Sequence, residues 1–366
     1  MTRRRIGLND LAPGQVLAWD LYGNEGAAGP LLHKGRPAPD GAQLRRLLEN
    51  GLFADDTPAP SVLHLLNRSN QRLERLLLDL RSQDDAEHEV RHIAADVVRA
   101  AELDPDIALA SIFLNQINGT YAVRHCIETA LLVSLVARGM EKSQEETLVI
   151  GSAALTMNVG MLRHHDSFQL KRTPLTREEM EIVRRHPEQS ADLLKCAGVD
   201  DEEWLSCVML HHENDDGSGY PDGKTSDEIT QNAKLIGLAD RYCARVSARN
   251  YRRSILPDQA LQHLFLEQRL AVDPMLAEQF VRQLGKYPPG SLVRLHNGEV
   301  GVVTRRQDSD GRIPVRALRD ASGMPIPDTV LRSTGEPAYA IAAALHEDEA
   351  GLRFSMKNVW GERASL

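Results

Sequence analysis

From about residue 85 to residue 285 the chain repeats one pattern, apolar residues at helical spacing, segment after segment. Such stripes have to be buried against one another, so the reading is a mainly helical core. One helix start is well marked. In "TPLTREEMEIVRRHP", Thr176 and Glu179 have the spacing of a capping box. Pro187 suits the first position of a following helix, which would place His186 at the junction. The longest apolar run, "ALLVSLVA" at 130–137, is too short to cross a bilayer.

The flanks differ. Residues 1–55 read as a small mixed α/β module. "GQVLAWDLYGNEG" suggests a strand closed by a turn, and "GAQLRRLLENG" a short helix stopped by Gly51. "DDTPAP" reads as a linker within 56–84, followed by a helix with leucines at 63, 66, 73, 76, 77 and 80. That helix either packs on its own domain or is a dimerising (homodimer) or signal-transmitting helix. Three or four clean heptads, the mark of a coiled coil, are absent. After residue 286, "YPPGSLVRLHNGEVGVVTRR" carries two alternating runs joined by Asn297-Gly298, a hairpin signal. The expectation is a β-rich module over 286–335 and a tail over 336–366.

Composition narrows the function. The net charge of −9, with both signs interspersed, argues against a nucleic-acid binder. The N-terminal "MTRRRIGLNDLAPG" has no apolar stretch behind its basic residues, so it does not read as a signal peptide. Cys126, Cys196, Cys207 and Cys243 form no Cys-x-x-Cys pair and no disulfide framework. These features suit a soluble cytoplasmic protein with no membrane span.

Among thirteen histidines, position has to decide. His211 and His212 end the apolar segment "WLSCVML" and precede a glycine-rich turn. Taken alone, His-His-Glu is either a metal site or a polar helix end exposed to water. Several neighbouring patterns fail. "GSGYPDG" puts Asp222 where a dinucleotide fingerprint needs glycine, there is no phosphate loop, and the aspartates lack calcium-loop spacing. His92 and Asp96 read as a solvated helix face.

"HHENDDGSGYPDG", His211 to Gly223, resembles the signature of the HD-GYP family, bacterial phosphohydrolases of the HD superfamily that cleave cyclic di-GMP. The match takes in His211, His212, Glu213, Asp216-Gly217-Ser218 and Gly219-Tyr220-Pro221. Further segments follow in the family's order. "YAVRHCIETALLVSLVAR" resembles the helix of the first metal histidine, here His125. "PLTREEMEIVRRHPEQSADLL" resembles the next, with His186 in the metal position. "AKLIGLADRYCARVSARNYRR" resembles a later helix, with Asp240 as carboxylate ligand. The resemblance makes Tyr220, Arg249 and Arg252 nucleotide contacts. Asn250 stands where the family has proline, and Tyr251 is retained. The implied fold is an HD-superfamily helical bundle over 85–285.

The departure lies between His125 and His186. The family carries His-Asp-x-Gly-Lys there; this chain has Met157, Asn158 and Met161 around Gly160. Nearby His165-Asp166, in "RHHDSF", reads as a surface loop. Hydrolysis of a phosphodiester by two metals needs the ions about 3.5–4 Å apart. By the resemblance, the missing aspartate is the bridging carboxylate. Asn158 is neutral, Met157 offers a soft thioether, and Met161 supplies no charge to a phosphate. The first metal position would keep His125 and Asp240, the second His186, His211 and His212. The expectation is one divalent ion (iron, manganese or zinc) at reduced affinity, without a two-metal centre. The alternative is that these histidines are hydrogen-bonded core groups.

The sequence thus reads as a degenerate, catalytically inactive HD-GYP protein of cyclic di-GMP signalling that binds nucleotide or partner proteins. One alternative is an active phosphodiesterase with an altered metal site. Another is an interaction scaffold for GGDEF-type diguanylate cyclases.

Overall fold

The N-terminal residues pair into a small sheet. Arg3–Ile6 (β1), Leu21–Tyr22 (β2), Gly41–Glu49 (α1) and Leu52–Asp55 (β3) come first in the chain, and the antiparallel sheet has the order β1-β3-β2. Asp40 caps α1 by accepting from the amides of Ala42 and Gln43. Leu44 and Leu48, one turn apart, close a core with Ile6, Leu17, Trp19 and Leu52. Residues 353–366 belong to this same unit, and the Ser61 hydroxyl donates to the Ser365 carbonyl. The structure, a computed structural model, describes residues 3–7, 11, 13–17, 19–55, 60–247, 254–266 and 273–366.

The second unit, residues 65–352, is mostly helical. Its helices are Val62–Leu78 (α2, entered from the first unit), Ala86–Leu103 (α3), Pro105–Phe113 (α4), Tyr121–Gly139 (α5), Gln144–Thr156 (α6), Leu162–Leu170 (α7), Arg177–Cys196 (α8), Glu202–Leu210 (α9), Gln231–Val246 (α10), Pro257–Leu266 (α11) and Pro274–Leu284 (α12). Every residue from His125 to Ala137 is buried, so α5 is the central helix, packed by α3, α6 and α10. A helix that is apolar all round has to lie inside the bundle, and this one holds "ALLVSLVA".

Two local expectations are corrected. Both halves of the capping box at Thr176 form, but α8 then runs straight through Pro187 instead of breaking there. His186 is therefore inside a helix and not at a junction. The face of α3 bearing His92 and Asp96 is not simply solvated. Arg72 of α2 bridges to Asp96 at 2.9 Å and to Glu89 at 2.8 Å.

Leu292–Leu295 (β4), Val300–Val303 (β5), Pro314–Arg319 (β6), Pro325–Ser333 (β7) and Ile341–Leu345 (β8) form an antiparallel sheet of order β7-β6-β5-β4-β8. Gly298 turns the β4–β5 hairpin with φ of 88°, a conformation that favours glycine. The sheet continues past residue 335, where the sequence placed its end, because β8 pairs with the free edge of β4. Two short helices, Glu347–Ala350 (α13) and Met356–Trp360 (α14), complete the chain. Asp106 of α4 ties this sheet to the bundle by accepting from Arg306 Nε at 3.0 Å.

Candidate metal centre

His186 of α8 is fully buried, and its orientation follows from the proline beside it. Pro187 has no N–H, so it leaves the carbonyl of Val183, four residues back, without a helical donor. Nδ1 of His186 takes that carbonyl at 2.6 Å. His211, just past the end of α9, does the same with the Val208 carbonyl at 2.7 Å, in the last turn where carbonyls lose their partners. A carbonyl only accepts, so each Nδ1 carries the proton and each Nε2 a lone pair. The two Nε2 atoms face each other 3.2 Å apart. Burial first, then the neighbouring His211, lowers the pKa of His186 to about 3, and burial lowers those of His211 and His212 as well.

His212 completes the group. The ligand atoms of His186, His211 and His212 all lie within 4.8 Å of one another. The lone pairs of His186 and His211, buried and turned toward each other, repel unless a cation lies between them, and half-buried His212 adds a third nitrogen. Two nitrogens 3.2 Å apart suit one ion held at about 2.0–2.1 Å from each. The donor set therefore fits a nitrogen-preferring divalent ion such as zinc, manganese or iron. Nδ1 bonds of this kind are the usual support of a metal-bound histidine.

The other expected pair is closed on itself. Nε2 of His125, on α5, lies 2.7 Å from Oδ1 of Asp240, on α10. Burial alone would raise the Asp240 carboxyl. The hydrogen bond and charge of His125 outweigh it and hold the group well below the usual carboxylate range. Among the described residues the buried Nδ1 of His125 has no hydrogen-bond partner.

Met157 ends α6 with no exposed surface, and Asn158 begins the tight turn Val159–Met161. Gly160 presses that turn onto α8. A Cβ there would lie 2.7 Å from the His186 carbonyl oxygen, and the Gly160 amide donates to Ser190 Oγ at 2.9 Å. Asn158 is 1% exposed, and among the described residues neither Oδ1 nor Nδ2 makes a hydrogen bond of good geometry, Cys126 being its polar neighbour. The Cys126 thiol lies against it, pushed up to about 12 chiefly by burial.

Glu213 is not part of the imidazole group. Its carboxylate accepts from the amides of Asp222 at 2.7 Å, Gly223 at 3.1 Å and Lys224 at 3.0 Å, and so holds the Gly-Tyr-Pro turn closed. Gly219 fits only without a side chain, since a Cβ would meet the Asn214 nitrogen and the Glu213 Cα at 2.5 Å. The turn lays the Tyr220 ring on His212, centroids 4.7 Å apart. Arg249 and Arg252, with Asn250 and Tyr251, lie outside the described residues.

Sequence reasoning missed two residues. "RHHDSF" is helix α7 and not a surface loop. His165 is 5% exposed and meets the His125 ring edge-on at 5.7 Å, while Asp166 accepts from the Ala122 amide at the start of α5. The signal was its position three residues after Leu162, a helical spacing hidden by polar neighbours. Arg241, directly after Asp240, was passed over because no pattern marks a lone arginine.

Residues 107–276 match the family model of the HD domain, and the helical part of this chain is an HD domain. Its histidine pair and Gly-Tyr-Pro turn resemble the HD-GYP type of that superfamily. Three curated relatives illustrate the match. The chain is 31% identical over 239 residues to the cyclic di-GMP phosphodiesterase PA4108 of Pseudomonas aeruginosa, covering 64% of this chain and 57% of that one. It is 34% identical over 152 residues to the cyclic di-GMP phosphodiesterase response regulator RpfG of Xanthomonas campestris, covering 41% and 40%. It is 24% identical over 199 residues to the cyclic di-GMP phosphodiesterase PdeB of Borreliella burgdorferi, covering 54% and 52%. The chain thus spans about half the length of these relatives. Among the described residues no helix is long and apolar enough to cross a membrane.

Proposed function

We propose that this protein works in cyclic di-GMP signalling by binding, with its hydrolytic centre lost. The observation that carries this reading is the state of the Met157–Met161 stretch. Where a second ion would need a shared carboxylate, a neutral buried Asn158 sits beside a fully buried Met157. The nearby carboxylate, Asp240, is already bonded to His125. The three imidazoles of His186, His211 and His212 hold one divalent ion. When bound, that ion supplies Lewis-acid attraction to a phosphate oxygen. Tyr220, stacked on His212, offers a flat face for a base, and the Gly-Tyr-Pro turn beside it is a contact surface for a partner such as a diguanylate cyclase.

The test is turnover together with binding. Purified protein supplemented with manganese or iron is incubated with cyclic di-GMP, and products are followed by chromatography while calorimetry measures affinity. Binding without products is the expected result. Metal-dependent turnover that disappears in His211→Ala would overturn the reading.

A further inference from the structure

Among the described residues Arg241 forms no ion pair within 4 Å, although the charges of Asp240 and Asp215 act on it. On α10 it directly follows Asp240, and its side chain turns back along the helix toward the end of α9. A Cβ placed at Gly237, one turn earlier, would lie 2.2 Å from the His211 carbonyl oxygen and 3.5 Å from Nη2 of Arg241. The guanidinium thus runs through the slot that the glycine leaves beside His211. Its charge acts on His211, His212 and Tyr220, so it stands at the rim of the imidazole group.

Among the described residues its hydrogen bonding is sparse: Nε is buried with no partner, and Nη1 makes one long bond, to Asn214 Oδ1 at 3.4 Å. Among the described residues no carboxylate reaches it. Asp240 is taken by His125 at 2.7 Å and Asp215 by Lys234 at 2.9 Å. Arg245, one turn on, donates to the Arg241 carbonyl at 3.0 Å, and its charge repels the guanidinium. A guanidinium has five N–H donors in a fixed fork and keeps its charge at any ordinary pH. Leaving the buried Nε of that fork unused is unfavourable unless a ligand completes it, and the half-exposed side chain leaves the fork open to one. Arg184, exposed on α8 two residues before His186, adds a second positive charge on the helix that carries this imidazole.

We propose that Arg241, with Arg184, is an anion-binding pair that receives a non-bridging phosphate oxygen of the nucleotide. The choice of a cyclic dinucleotide rests on the function proposed above; the anion site itself does not. The pair supplies positive charge that Met161 cannot.

The experiment titrates the full chain by calorimetry with cyclic di-GMP and, separately, with inorganic pyrophosphate. The proteins are the parent, Arg241→Met, Arg241→Lys and Arg184→Glu, each checked by circular dichroism and metal content. Arg241→Met is expected to weaken binding about tenfold or more, and Arg241→Lys less, with metal content unchanged. The salt dependence of binding should flatten in Arg241→Met, which a purely structural strut to Asn214 would not produce. If the parent binds cyclic di-GMP and Arg241→Met binds it equally well, the anion pair is wrong and the proposed function stands. If only pyrophosphate binds, and binds through Arg241, the pair stands and the nucleotide reading falls. If the parent binds neither, both fall. Should Arg241→Met fail to fold, Arg241→Lys and the exposed Arg184→Glu decide, and unchanged affinity in both overturns the pair.

Discussion

Nε2 of His186 and Nε2 of His211 face each other at 3.2 Å because each ring is turned by a backbone carbonyl that its own helix cannot satisfy. In α8 the defect is Pro187; in α9 it is the helix end. Both lone pairs are thus presented by the backbone, before any ion arrives. Purified protein should accordingly take up about one divalent ion per chain, and His211→Ala should lose it. Elemental analysis of folded protein decides the matter. Parent and His211→Ala with equal metal would mean that the imidazoles are core groups.

The metal-free protein should be acid-sensitive in a defined window. Burial and His211 depress His186 from an ordinary 6.5 to about 3. Below 6.5 the unfolded chain takes up a proton that the folded chain refuses, so stability falls as pH drops. The loss is up to about 1.4 kcal/mol per pH unit for this one imidazole, continuing toward pH 3 and absent above 6.5. His211 and His212, lowered in the same direction, steepen it. Urea midpoints at about pH 7.5 and about pH 5 should differ clearly in the parent and less in His186→Gln. Equal parent midpoints at the two pH values would contradict the depressed imidazoles.

Glu213 should matter for stability and not for metal. Glu213→Ala strips the acceptor from three amides and should destabilise by about 2–4 kcal/mol, with Glu213→Gln intermediate. Thermal unfolding measures this, and metal content should stay at the parental level in whatever remains folded. Loss of metal with unchanged stability would make Glu213 a ligand instead.

Repair of the degenerate stretch is the sharpest test of dormancy. Met157→His, Asn158→Asp and Met161→Lys together should raise metal content above the parental level, since they add a nitrogen ligand and a carboxylate able to bridge ions. Asn158→Asp alone places a carboxylate at a position 1% exposed, in a pocket where the existing carboxylate already has its partner. That variant should lose about 2–4 kcal/mol without added metal, or take up a proton to avoid it. A folded triple variant with no more metal than the parent would show that the remaining shell is not poised.

Much of this molecule was legible from residue order, where the governing physics is local. The apolar period of 85–285 requires packed helices, Thr176 and Glu179 mark the start of α8, and Asn297-Gly298 turns a hairpin because only a few residues tolerate that backbone. The histidine pair before the glycine turn and the ordered motifs around it pointed to the HD superfamily by resemblance to that family. Only the tertiary structure decided what each group meets. Pro187 ends helices in sequence rules, yet here burial of the α8 face outweighs one lost hydrogen bond, and the freed carbonyl orients His186. His165 sits in a polar run that reads as surface, but α7 turns that one ring inward against His125. Glu213 adjoins two histidines in sequence and is spent on three distant amides. The approach of His125 to Asp240, residues 115 apart in the chain, and the sparse hydrogen bonding of Arg241 depend on how α5, α9 and α10 pack. Periodicity tells which face of a helix is buried; it carries no information about which helix that face will meet.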